Sequence, residues 1–288
     1  MRSLIFLLPL ILSSGCKTPE RLTPQPRSQQ LLHSTSQAAI TDVHLWSESL
    51  QAMLWYRIIV PSHLPAEHLP VLYFLPGANS GPDDVMDSSQ IVDQASAAHL
   101  IVVIPQAENS YYTNARHLRH SQWEDAITVD LPYDVATHFP IQHDRHHTGI
   151  AGISMGGYGA VKLTMKHPDL YSFTGFMSGA LDITRRPPSL LRWFQTTRTW
   201  SIFGYRGDIR RSEDVFDLLI RQPPRPDVQW FASCGKNDPL APINHGFVNQ
   251  LNAHAVPVNL LETPGGHDWH SWNIALPELF KAAAKTLH

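Results

Sequence analysis

Cysteine is nearly absent: 288 residues hold only Cys16 and Cys234, so a disulfide-stapled framework is excluded and the hydrophobic core has to carry the fold. No apolar run reaches the roughly 20 residues that span a bilayer. Charge of one sign is also lacking. Lys+Arg of 22 against Asp+Glu of 25 gives a net −3, with no basic cluster and no acidic tail, which leaves no electrostatic footprint for nucleic acid. Histidine is plentiful at 17, yet no H-E-x-x-H occurs. The dense stretch His143-Asp144-Arg145-His146-His147 precedes an apolar run, where a turn and a strand start are ordinarily polar. His267 and His270 stand three apart with no third ligand type close by. No metal and no cofactor are expected. What is abundant is apolar content, 43%, enough for a large core within one domain.

The amino terminus reads as an export signal. Arg2 precedes the short apolar stretch Leu4-Ile5-Phe6-Leu7-Leu8-Pro9-Leu10-Ile11-Leu12, and Ser13-Ser14-Gly15-Cys16 follows. The Ser-Gly-Cys ending resembles a bacterial lipoprotein signal, in which Cys16 becomes the lipidated first residue; Ser13 departs from the leucine common at that place. The alternative is an ordinary secretory signal with a chance cysteine. Residues 1–15 are expected to be the signal, and either reading predicts export: a periplasmic or cell-envelope lipoprotein held to the membrane through Cys16, otherwise a secreted protein. Loss of Arg2 leaves 21 − 25, a net −4, and Cys234 without an intrachain partner. Cys234 lies in the apolar run 228–235 and reads as a small buried hydrophobe. Residues 17–37 are rich in Pro, Ser, Thr and Gln without hydrophobic period, so 16–38 is expected to be a flexible tether and 39–288 the folded domain.

Within the domain, β patterns at 42–48 and 51–60 predict two antiparallel strands. Short apolar runs typical of strands buried on both faces follow at 71–75, 100–104, 148–153, 173–178, 228–234 and 256–261. Between them, three- and four-residue apolar steps predict helices at 84–99, 123–138, 157–167, 242–255 and 276–287. Alternation after an antiparallel start predicts an α/β sandwich with a mostly parallel sheet and helices on both faces. The stretch 182–219 breaks it, with Pro187-Pro188, Trp193, Phe194, Trp200 and many arginines; it reads either as an insertion shaping a substrate pocket or as a surface excursion with its own small core.

Residues Gly152-Ile153-Ser154-Met155-Gly156 form a G-x-S-x-G pentapeptide between a predicted strand and a predicted helix, the setting of a nucleophile elbow. The turn is so tight that serine takes a strained conformation and glycine is needed on either side. The following helix directs its free amides toward the charge that develops when the serine attacks a carbonyl. A serine hydroxyl needs a histidine base, and that histidine needs a carboxylate to fix its tautomer. Downstream, the turn-rich loop after 228–234 offers Asp238, and the loop after the last strand offers His267. Asp268 is adjacent to His267 and cannot readily curl back onto its ring; Asp182 and Asp227 stand at a loop start and before a strand; His245 and His270 fall in or near helices. An oxyanion hole needs two amides: Met155 after the nucleophile, and Ala78 from the glycine-bearing turn Pro76-Gly77-Ala78-Asn79.

These residues resemble the esterase D family, which includes S-formylglutathione hydrolases, feruloyl and acetyl-xylan esterases, enterochelin-esterase-like proteins and the antigen 85 mycolyltransferases. The likeness runs over about 71–272 and rests on Leu75-Pro76-Gly77-Ala78, Asn109-Ser110-Tyr111-Tyr112-Thr113-Asn114, Gly152 to Ala160, His167-Pro168-Asp169-Leu170 and Gly266-His267-Asp268-Trp269-His270-Ser271-Trp272. It implies an α/β-hydrolase fold, Ser154, Asp238 and His267 as triad, and Ala78 and Met155 as oxyanion amides. Pro76 departs from the histidine many members carry there. The expected activity is a serine carboxylesterase acting through an acyl-enzyme on an ester of a small molecule, sugar or siderophore. Tyr111, Tyr112, Trp123 and Trp269 are expected against the substrate, with Trp193 and Trp272 near the pocket. Two other functions share the scaffold: an acyltransferase passing the acyl group to an alcohol, and a tethered binding protein without catalysis. Oligomeric state leaves no mark in the sequence.

Overall fold

The computed structural model describes residues 26–62, 69–186, 193–204 and 211–288. The expected signal, Cys16 and the expected tether up to residue 25 lie outside the described residues. Nine strands form one sheet in the order β1-β2-β3-β5-β4-β6-β7-β8-β9. They are β1 (Arg27–Ser34), β2 (Ala38–Ser47), β3 (Ala52–Pro61), β4 (Val71–Leu75), β5 (Ile101–Pro105), β6 (Thr148–Ile153), β7 (Phe173–Met177), β8 (Gln229–Gly235) and β9 (Leu260–Thr263). The first three pair antiparallel, β3 meets β5 antiparallel, and all remaining pairings are parallel. β4, β5 and β7 are buried at every residue, as strands covered on both faces must be.

Alternate residues of β4 sort the two layers. Leu72 and Phe74 pack with Val85, Ile91 and Ala95 of α1 (Pro82–Ser88) and α2 (Ile91–Ala98), and with the long last helix. Val71, Tyr73 and Leu75 face the other way, onto α3 (Trp123–Asp125), a π turn (Ala126–Asp130), α4 (Leu131–His138) and α5 (Met155–Lys166). Farther along that face, α6 (Trp193–Phe203), α7 (Val215–Arg221) and α8 (Ala241–Ala253) share a core with Tyr158, Phe176 and Phe247.

Four boundaries differ from the sequence reading, each for a local reason. The domain begins with β1 and not after residue 38. β1 leaves most of its side chains in solvent, so no hydrophobic period marks it; its ladder to β2 and the bond from Arg27 Nε to Asp134 at 2.7 Å hold it. The helix expected over 84–99 breaks at Ser89-Gln90 into α1 and α2. The last strand starts at Leu260 because the Asn252 side chain brackets Val258, accepting from its N–H at 3.0 Å and donating to its carbonyl at 2.9 Å. The last helix, α9 (Trp269–Leu287), starts seven residues before the expected position, capped by Asp268, whose carboxylate accepts from Ser271 N–H; Pro277 sits inside the helix and not at its start.

The 182–219 insertion packs inward. Ile183, Ile202, Phe203, Val215, Leu218 and Leu219 are all buried in the core that also covers Tyr158. It also reaches the sheet's carboxyl edge, where Arg198 Nε donates to the Asn109 carbonyl at 3.0 Å.

Candidate active site

Ser154 closes β6 with φ 54° and ψ −113°, a positive φ that a non-glycine residue adopts only under external constraint. That constraint is visible. Ser154 N–H donates to Met177 O at 2.9 Å, while its carbonyl accepts from Tyr158 and Ala180 N–H at 3.1 and 2.9 Å. A Cβ on Gly156 would stand 1.9 Å from Leu75 O, and one on Gly152 would stand 2.5 Å from Gly156 C. Both flanking glycines are therefore required by backbone that passes too close for any side chain.

Three distant segments meet at this corner. His267 Nε2 lies 2.8 Å from Ser154 Oγ, and its Nδ1 lies 2.8 Å from Asp238 Oδ2. A ring donating Nδ1–H to the carboxylate leaves Nε2 free to accept the Ser154 proton. Asp238 is buried. Burial pushes its carboxyl pKa up, but hydrogen bonds from His267, Ser178 and the Leu240 N–H outweigh this and hold it below the usual range. The Leu240 bond measures 2.7 Å. The carboxylate stays charged where an imidazolium needs it.

Ser178, which sequence reasoning missed, and Trp272, expected near the pocket, stand behind Asp238. Ser178, fully buried at φ 51°, accepts from Trp272 Nε1–H at 3.0 Å and holds its hydroxyl toward Asp238 and, at 3.7 Å, Cys234 Sγ. Trp272 itself packs edge-on against His267, 5.1 Å between centroids. One tryptophan thus touches the imidazole and, through Ser178, the carboxylate. Only the position of Ser178 at the end of β7, beside the elbow, could have signalled it. Cys234 is a buried thiol whose pKa burial and the Asp238 charge push up to about 12, in keeping with its reading as an inert hydrophobe. Ser178→Ala is expected to lower kcat about tenfold with KM held, since one hydrogen bond to a charged group is worth about 1.5–3 kcal/mol; steady-state kinetics on a simple ester checks this.

The turn expected to supply the second amide lies against the serine: a Cβ on Gly77 would sit 3.5 Å from Ser154 Cβ. Asn79 (φ 58°) fixes this turn by a reciprocal pair with Asn109, its N–H donating to Oδ1 at 2.7 Å and its Oδ1 accepting from Nδ2 at 2.6 Å. Met155 opens α5, so its N–H has no acceptor within the helix. Ala78 is exposed in the adjoining turn.

The aromatic residues divide. Tyr112 is a correction: it is fully buried, its hydroxyl donates to Pro76 O at 2.8 Å, and it braces the turn from beneath instead of facing substrate. Tyr111 (φ 53°) is half-buried, packed on Tyr158 and Phe203 at 6.2 and 5.6 Å. Trp269 is half-buried and stacks edge-on with Trp272 at 5.2 Å. Trp123 is buried and lines a groove together with Trp55, Glu108 and Arg198. The Trp193 side chain lies outside the described residues.

Comparison with known proteins shows the family and the fold. The profile of the Esterase family matches residues 47–283. The chain is similar to an acetyl esterase of Caldicellulosiruptor saccharolyticus, 25% identical over 86% of this chain and 98% of that one. It resembles the structure of an S-formylglutathione hydrolase from Agrobacterium tumefaciens with a TM-score of 0.78, at 20% identity, covering 91% of this chain and 99% of that one. A fluorophosphonate-binding serine hydrolase of Staphylococcus aureus gives a TM-score of 0.74 at 23% identity, over 86% of this chain and 99% of that one. The fold is that of the α/β-hydrolases.

Proposed function

Because the chain belongs to the Esterase family and is a carboxylic ester hydrolase, we propose that Ser154, His267 and Asp238 form its catalytic triad and that hydrolysis runs through an acyl-enzyme. The observation that carries this is the continuous pair of 2.8 Å contacts from Ser154 Oγ through the His267 ring to Asp238. His267 Nε2 takes the hydroxyl proton as Ser154 Oγ bonds to the acyl carbon, and the oxyanion that forms is held by the N–H groups of Ala78 and Met155. The C–O bond to the alcohol breaks, and the proton on Nε2 leaves with the alcohol. Water then gives a proton to Nε2 and its oxygen to the acyl carbon, releasing the acid and restoring Ser154.

Trp269, half-buried beside Trp272 and His267, and Tyr111 are the side chains we assign to substrate contact. On the sequence of the first sixteen residues we assign the protein to the cell envelope, anchored through Cys16. The decisive experiment is labelling with a fluorophosphonate probe followed by peptide mass spectrometry. Modification is expected on Ser154 alone and is expected to disappear in His267→Ala; an intact, unlabelled Ser154 would point to a binding protein on a hydrolase scaffold.

A further inference from the structure

Beside the oxyanion turn runs a groove of about 410 Å³ whose lining the reaction leaves unused. Its floor is the segment leaving β5: Gln106 packs its amide against Gly81, and Glu108 precedes Asn109, which clamps Asn79. Part of the lining is apolar, with Met53, Trp55 and Leu118; Met53 and Leu118 are 46% and 38% exposed, and the indole N–H of Trp55 is enclosed without a hydrogen-bond partner among the described residues. Part is cationic. Arg119 and His120 project from an exposed loop, and Arg198 comes from α6.

This cationic part is held in place by backbone. Ala115 N–H donates to Ser121 O, and Arg116 and His117 N–H donate to Ile202 and Ser201 O, each at 2.9 Å, so backbone bonds tie the loop to the end of α6. Its charge is unbalanced. Arg116 and Arg119 have no acidic partner among the described residues, and Arg198 meets Glu108, the single acid of the groove, only at 3.8 Å. Glu108 is 66% exposed, so solvent screens its charge.

We propose that this groove seats an anionic substituent of the ester substrate, a carboxylate carried on an aryl or alkyl body. The apolar part takes the body, and Arg119 and Arg198 take the head group by charge-assisted hydrogen bonds. The proposal rests on the reading of Ser154 as the esterase nucleophile, since the ester must lie at Ser154 while its charged end lies past Asn79.

The test compares matched ester pairs at equal size. p-Nitrophenyl valerate against mono-p-nitrophenyl glutarate places the charge on the acyl side; methyl 4-acetoxybenzoate against 4-acetoxybenzoate places it on the alcohol side. In wild type, kcat/KM for the charged member of one pair is expected to exceed that of its neutral partner by about tenfold, the effect of one charge-assisted contact. The preference is expected to fall toward parity in Arg119→Gln and Arg198→Gln, to survive in part in Arg119→Lys, and to shrink between about 0.02 and 0.5 M NaCl as screening sets in. Parity in both wild-type pairs, or a preference unchanged in both glutamine variants, overturns the proposal. p-Nitrophenyl acetate separates this from failure of the esterase reading. Should it go unhydrolysed, calorimetry of 4-acetoxybenzoate with Ser154→Ala and with Ser154→Ala/Arg119→Gln decides the groove by itself: binding weakened about tenfold by the arginine change supports it, and equal or absent binding overturns it.

Discussion

Ser154→Ala is expected to lower kcat by about 10⁴-fold or more, with His267→Ala falling as far and the double variant no further. The reason is that the two residues act as one device. Without the imidazole 2.8 Å away the hydroxyl keeps its proton, and without the hydroxyl the imidazole has nothing to activate. Asp238→Asn is expected to be tens of times milder than either, because serine and histidine remain in place and only the tautomer and the imidazolium lose support. Single-turnover assays on p-nitrophenyl acetate, with melting curves to show that each variant is folded, make the comparison. Losses that add in the double variant would mean that Ser154 and His267 act separately, and the proposed mechanism would fail.

The second large effect concerns stability. Lys162→Met is expected to cost about 3–5 kcal/mol, a drop of about 10 °C in melting temperature for a domain of this size. Lys162 lies on α5, about two turns along the helix that begins beside Ser154, and is fully buried. Its Nζ lies 2.6 Å from Tyr112 O, 2.8 Å from Thr113 Oγ1 and 3.0 Å from Oε2 of both Glu124 and Glu213, four acceptors sharing three N–H groups. Lys166 adds a second cation, 2.8 and 2.7 Å from the same two glutamates. Methionine fills the space but leaves two buried carboxylates facing one remaining lysine and strands the Tyr112 carbonyl.

The same cluster fixes a pH dependence. Burial raises the pKa of Glu124 and Glu213, but Lys162 and Lys166, with His167 also bonded to Glu124, outweigh it and hold both below the usual carboxylate range. Groups with depressed folded values contribute stability that is fully present above the unfolded value, about 4.3, and that is lost as pH falls through the folded value. Wild type is therefore expected to lose stability steeply below about pH 4. In Lys162→Met the carboxylates repel more strongly and protonation relieves them, so the gap between the two proteins is expected to narrow as pH falls from 7 to 3. Urea melts at each pH measure it; a constant gap would remove the glutamates from the account.

Much of the site was legible because its chemistry forces residue types into fixed local settings. An elbow needs small residues around a serine between a strand and a helix, and Gly152 and Gly156 announce that in five letters. Asp238 and His267, which the structure sets in line with Ser154, were singled out by chain order and by the turns that present them. The roles of Tyr112, Ser178 and Lys162 were hidden. Tyrosine in a loop reads the same whether its hydroxyl meets substrate or, as at Tyr112, a carbonyl of its own chain. A lysine on an amphipathic helix reads as a solvated charge unless its partners are known, and Glu124 and Glu213 lie 38 and 51 residues away. β1 escaped because an edge strand held by backbone bonds carries no hydrophobic signature.

By itself the sequence determined that this is an α/β chain with a glycine-flanked serine at a strand–helix corner, because steric limits on backbone act over a few residues at a time. Only the tertiary structure decided which side chains brace that corner and where unbalanced charge gathers beside it, because hydrogen bonds and electrostatic fields join residues by distance in space and not by distance along the chain.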